Sequence, residues 1–173
     1  MNESKPLCLE CGLCCNGVIF ADVQLQPGDD AQRLQALGVP LTTQRNRNPK
    51  FAQPCAALDG CRCKIYAERP KYCREFDCLL LKNVRDGRLG ETAARHVIRT
   101  ARQRADAIRK LLRKLGDVEE ELALSKRFQR MRKRMEASPP DEPTADLYSR
   151  LSLAVHDLNM LLSDAFYPGF LED

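Results

Sequence analysis

Cys8-Leu9-Glu10-Cys11-Gly12-Leu13-Cys14-Cys15 places four thiols within eight residues. Sulfurs this close along a chain need a common partner, since a core gains little from four small side chains gathered in about two helical turns. Metals take thiolates at about 2.3 Å, and two-residue spacings gather them at small loop-closure cost. Five more cysteines follow: Cys55, Cys61, Cys63, Cys73 and Cys78. All nine lie in the first half of the 173 residues. The chain therefore reads as a metal-binding lobe followed by a region of another kind.

That second region has a helical rhythm. Ala94, Ile98, Ala101, Ala105, Ile108, Leu112 and Leu115 alternate spacings of four and three, which predicts one buried helical face stopped by Gly116. Asp117 and Glu120 have capping-box spacing and predict the opening of a second helix, with Leu124, Phe128, Met131 and Met135 on its face. Ser138 to Pro143 reads as a linker. A third helix carries Leu147, Leu151, Val155, Leu158, Leu162 and Phe166, closed by Pro168 and Gly169. In the first half, Val18 to Val23 predicts a short strand, Asp29 to Leu37 a helix ended by Gly38, and 42–54 a loop. The predicted fold is mainly α: a small, loop-rich cysteine and metal-binding lobe over 1–84, then a bundle of about three helices over 85–173.

Composition narrows the class. Charged residues make up 30%, mean hydropathy is −0.45, and no apolar run approaches the ~20 residues that span a bilayer. Met1-Asn2-Glu3-Ser4-Lys5-Pro6 lacks the apolar core of a signal peptide, which argues for the reducing cytoplasm. Nine cysteines there mean metal or redox chemistry ahead of four disulfides and a spare thiol. Net charge is +2 over 1–94, +9 over 95–134 and −7 over 135–173. The basic middle is expected to lie beside the acidic tail of its own chain. Lys126 to Arg134 is the best case for nucleic acid, but no base-reading motif accompanies it, so a solvated helix face is preferred.

The second cysteine group contains Cys63-Lys64-Ile65-Tyr66-Ala67-Glu68-Arg69-Pro70-Lys71-Tyr72-Cys73-Arg74-Glu75-Phe76-Asp77-Cys78. With the Cys-x2-Cys-x2-Cys-Cys run at Cys8, it resembles the CxxCxxCC (YkgJ-type) cysteine-cluster family of zinc- or iron-chelating domains, over roughly residues 8–78. The resemblance implies eight metal-ligating cysteines at Cys8, Cys11, Cys14, Cys15, Cys55, Cys63, Cys73 and Cys78. Cys61 is a ninth that could replace Cys63. Some relatives resemble flagellin lysine methylases, which join an iron–sulfur cluster to S-adenosylmethionine chemistry. This chain is short and offers no second domain for that cofactor, so the methylase activity is not carried over.

Eight thiolates suit two zinc ions, or one four-iron cluster with four cysteines left for another role. Cys8-x2-Cys11-x2-Cys14 has the spacing of a ferredoxin-type cluster run, which favours 4Fe–4S, with zinc as the alternative. The functional expectation is a cluster for electron transfer or the metal centre of a modifying enzyme. The alternative is a zinc-stabilised interaction module using its basic helices. Arg74, with Arg69, is a candidate to offset cluster charge, and Tyr66 and Phe76 are expected to shield the metal or fill the small core. His96 and His156 stand alone in mid-helix and are not assigned as ligands. No triad order, phosphate loop or dinucleotide fingerprint is present. The sequence names no substrate, and a redox or protein partner stays unidentified. The stripe of the first long helix fits a dimer seam as well as an intramolecular bundle.

Overall fold

The computed structural model describes residues 5–45 and 47–167. It is 55% helical, with only two small two-stranded sheets, as expected of a mainly α chain.

Two helices of 24 residues form its backbone, α5 (Glu91–Lys114) and α7 (Glu142–Ala165). The stripe of α5 is buried from Ala94 to Leu112, and Leu115 beyond it is buried as well. Three alanines in that stripe let α7 approach closely, and Leu151, Leu158, Leu162 and Phe166 fill the seam. Each large apolar side chain so buried contributes about 1.5–3 kcal/mol before entropy is counted. Helix α7 opens at Asp141, whose carboxylate accepts the Thr144 N–H at 3.1 Å, with Pro143 in the first turn. The expected linker is therefore shorter, because its last residues already belong to the helix.

Helix α6 (Leu124–Ala137) begins six residues later than the capping-box spacing suggested. The Asp117 carboxylate is occupied elsewhere: it accepts Nε–H of Arg127 at 2.7 Å in a buried pair. Glu120 pairs with Arg113 at 2.8 Å. With both carboxylates engaged, the segment after Gly116 turns instead of capping, and α6 starts at Leu124. Phe128 then stacks on Tyr148 of α7, ring centroids 6.4 Å apart.

The basic segment lies beside the acidic tail, as expected, because α5 packs along α7; most of its ion pairs nevertheless form elsewhere. Its ion pairs run to Glu10, Asp22, Glu91, Asp106, Asp117, Glu119 and Glu120, while the tail supplies Glu136 to Arg132 and the Asp157 carbonyl to Arg104. Helix α7 presents its apolar face to α5, which leaves Asp146, Asp157 and Asp164 exposed.

The cysteine-bearing segments are short. Helix α1 (Lys5–Cys11) packs Leu7, and just beyond it Leu13, into the cluster built by α5 and α7. Strand β1 (Asp22–Gln24) pairs antiparallel with β2 (Lys50–Ala52), so the strand lies slightly later than expected and the presumed loop contains its partner. Helix α2 (Ala31–Ala36) matches expectation, with Asp30 capping the Arg33 N–H at 2.8 Å. Val23, Leu25, Leu34, Val39, Phe51 and Ala57 form a second, smaller apolar cluster. The hairpin β3 (Leu58–Asp59) and β4 (Arg62–Cys63), a 3-10 turn at Tyr66–Glu68, α3 (Lys71–Glu75) and α4 (Leu79–Arg85) complete the chain. The closing Pro168 and Gly169, like Met1 to Ser4, lie outside the described residues.

Candidate metal centre

Two glycines shape the turn that carries the first cysteine group. Gly12 ends α1 with φ +67°, and its carbonyl accepts the N–H of Cys15 at 3.0 Å and of Asn16 at 2.9 Å. A Cβ on Gly12 would stand 3.2 Å from the Cys61 Cα, so the β3–β4 hairpin lies directly on this turn. Gly17, φ +79°, approaches Ala123 as closely, and its carbonyl accepts the Leu124 N–H at 2.9 Å. The turn from Cys11 to Gly17 is thus held between the hairpin and the start of α6.

The second cysteine group is brought to it by separate contacts. The Cys55 N–H donates to the Cys15 carbonyl at 2.8 Å. Cys63 sits in β4 and Cys73 in α3. Cys78 precedes the first turn of α4, and the next N–H, that of Leu79, donates to the Phe166 carbonyl at 3.0 Å. The long helix α7 therefore fixes the backbone beside Cys78.

All nine cysteines are free thiols. They surround two adjoining cavities. The larger, about 70 Å³, is lined by Cys55, Cys61, Cys63 and Cys73; the smaller, about 40 Å³, by Cys11 and Cys78; Cys8, Cys14 and Cys15 form the wall between and border both. Around the larger stand Phe20, Tyr72 and Phe76, with Phe20 edge-on to both rings at 5.7 and 4.9 Å. Leu13, Ile98 and Phe166 close the smaller. Among the described residues, no three His, Cys, Asp or Glu side chains are grouped as a ready site for one ion. The thiols line spaces; they do not converge on a point.

Burial dominates their acidity. It pushes the Cys11, Cys15 and Cys73 thiols up to about 12, Cys14 well above the usual thiol range, and Cys8, Cys55 and Cys78 upward too. Neighbouring thiols add to this. Cys14 feels Cys11 and Cys78 before Cys15 and Cys8, whereas Cys15 feels Cys73, Cys55 and Cys63 before Cys8. Opposing effects come from backbone N–H groups, of Leu13 on Cys11, of Ala57 on Cys55, and of Leu80 and Leu81 on Cys78. Cys63 is among the neighbours that raise Cys8, Cys15, Cys55 and Cys73; Cys61 is not.

Arg69, not Arg74, lines a cysteine cavity. Its guanidinium lies 3.7 Å above the Tyr66 ring, donates from Nε to the Tyr66 carbonyl at 3.1 Å, and lowers Cys8 and Cys73 against their burial. Arg74 is exposed on α3 and borders neither cavity. Tyr66 and Phe76 both line the larger one. His96 and His156 are exposed on α5 and α7. Ile98 and Phe166 had signalled only helix packing in the sequence, and their part in the cavity wall follows from tertiary contacts alone.

Residues 7–105 match the model of the CxxCxxCC family, described as "Putative zinc- or iron-chelating domain", and the chain belongs to that family. It is a metal-binding cysteine-cluster domain, and the match runs from α1 into α5. No curated protein and no solved structure matches the chain. The donor set suits thiophilic metals: nine free thiols in apolar surroundings, gathered from five segments. No helix among the described residues is long and apolar enough to cross a membrane.

Proposed function

We propose that this chain is an iron–sulfur protein whose cluster is held by Cys8, Cys11, Cys14 and Cys78. It acts in electron transfer, or as the metal centre of a modifying enzyme. One observation carries the reading: the Cys-x2-Cys-x2-Cys-Cys run and one distant cysteine border the same apolar-walled cavity. The spacing is that of a ferredoxin-type cluster run. When bound, the cluster supplies one-electron chemistry at a potential set by charge, hydrogen bonds to sulfur and solvent access.

The chain's own residues have definable tasks. Leu13, Ile98 and Phe166 keep water from the inner thiols. The N–H groups of Leu13, Leu80 and Leu81 favour the thiolate forms of Cys11 and Cys78. Arg69 offsets negative charge at Cys8, a role the sequence had offered to Arg74 as well as Arg69.

The test is Cys11→Ala and Cys78→Ala, prepared without oxygen. Iron and acid-labile sulfide fall together in each variant if the reading holds. Both variants retaining full iron and sulfide would refute it.

A further inference from the structure

We propose that Cys15, Cys55, Cys63 and Cys73 form a second thiolate metal centre, separate from the Cys8, Cys11, Cys14 and Cys78 set. This rests on the metal-binding reading above and extends it to the four remaining motif cysteines. Their cavity is distinct: Cys55, Cys63 and Cys73 border only the larger one, Cys11 and Cys78 only the smaller. Cys14 and Cys15 share the wall and border both cavities. The Cys55 N–H to Cys15 carbonyl bond ties Cys15 to the outer group.

The surroundings explain what a metal would do here. The outer set is carried by a turn, a loop, a two-residue strand and a five-residue helix. Behind them lies the small apolar cluster, against whose edge Cys55 and Cys73 pack. Elements so short bury too little to order themselves. Four thiolates from four segments, drawn inward on one thiophilic metal, would join them, as closed four-thiolate sites do in small lobes. Cys61 borders this cavity as the thiol left over. Zinc and iron share this ligand chemistry, and metal analysis of the protein as isolated distinguishes them.

The experiment loads the metal-free full chain with cadmium-113 and counts bound ions by native mass spectrometry and cadmium NMR. Two uncoupled cadmium environments are expected in the unaltered chain. Cys55→Ser with Cys73→Ser removes one, and Cys11→Ser with Cys78→Ser removes the other. A single environment, or two coupled through a shared thiolate, overturns the proposal, as does loss of the same environment in both variants. Should a variant fail to fold, the spectrum of the unaltered chain decides alone. Iron and sulfide without two cadmium environments would sink this inference and leave the cluster reading standing. Two environments without iron or sulfide would do the reverse.

Discussion

The backbone N–H of Cys55 donates to the carbonyl of Cys15 across 40 residues of sequence, at 2.8 Å. That bond joins the two cysteine groups into one layer, and the hairpin over Gly12 completes it. Gly12→Ala is expected to cost about 1–3 kcal/mol, since it adds a strained positive φ to a 3.2 Å approach to the Cys61 backbone. Gly60→Ala is the control, with φ +59° but nothing within 4 Å. Thermal melting of the metal-loaded protein should rank Gly12→Ala as the less stable. Equal melting points would mean the hairpin does not rest on the turn.

The buried Arg127–Asp117 pair sets where α6 begins. Removing one partner strands the other charge, so Arg127→Met is expected to lose about 3–5 kcal/mol in urea unfolding. The double variant Arg127→Met with Asp117→Leu should recover most of that loss. No recovery would show that the pair contributes more than charge compensation.

Burial holds the Cys11, Cys15 and Cys73 thiols near 12, above the ordinary 9.0. A raised thiol value means the folded metal-free state holds protons that the unfolded chain releases. The resulting stability is complete below about pH 9 and is lost as pH rises toward 12. Metal-free protein should therefore lose denaturation resistance across that window. In the metal-loaded form the ligating thiols have already given up their protons, and the loss should be much smaller. Parallel pH profiles would contradict the assignment of these thiols as ligands.

Arg69→Gln removes the cation that opposes the burial of Cys8. In metal-free protein at pH 8, alkylation of Cys8, followed by peptide mass analysis, is expected to slow several-fold as its thiolate fraction falls. An unchanged rate would place the guanidinium's effect elsewhere. Arg74→Gln should leave the rate as it was, since Arg74 borders neither cavity.

The helices and the cysteine pattern were legible because both are local. The four-three stripe of α5 and the Asp30 and Gly38 ends of α2 follow from neighbours a few residues apart. The start of α6 was not legible, because Asp117 has two possible uses and only the fold puts Arg127 beside it. Strand β2 was hidden in a polar stretch whose pairing with β1 is a tertiary fact. At the site, spacing suggested which cysteines share chemistry, but not that a wall of Cys8, Cys14 and Cys15 parts two cavities. Arg69 and Arg74 were indistinguishable in sequence, because only the fold holds Arg69 over the Tyr66 ring beside the larger cavity and leaves Arg74 exposed on α3.

The most direct measurement of the central claim is iron, zinc and acid-labile sulfide per chain, on protein purified without oxygen, with a visible absorption spectrum. The account predicts iron and sulfide in near-equal amounts, about four of each for one cubane, with a broad visible band. About two zinc ions per chain, no sulfide and no visible band would contradict it.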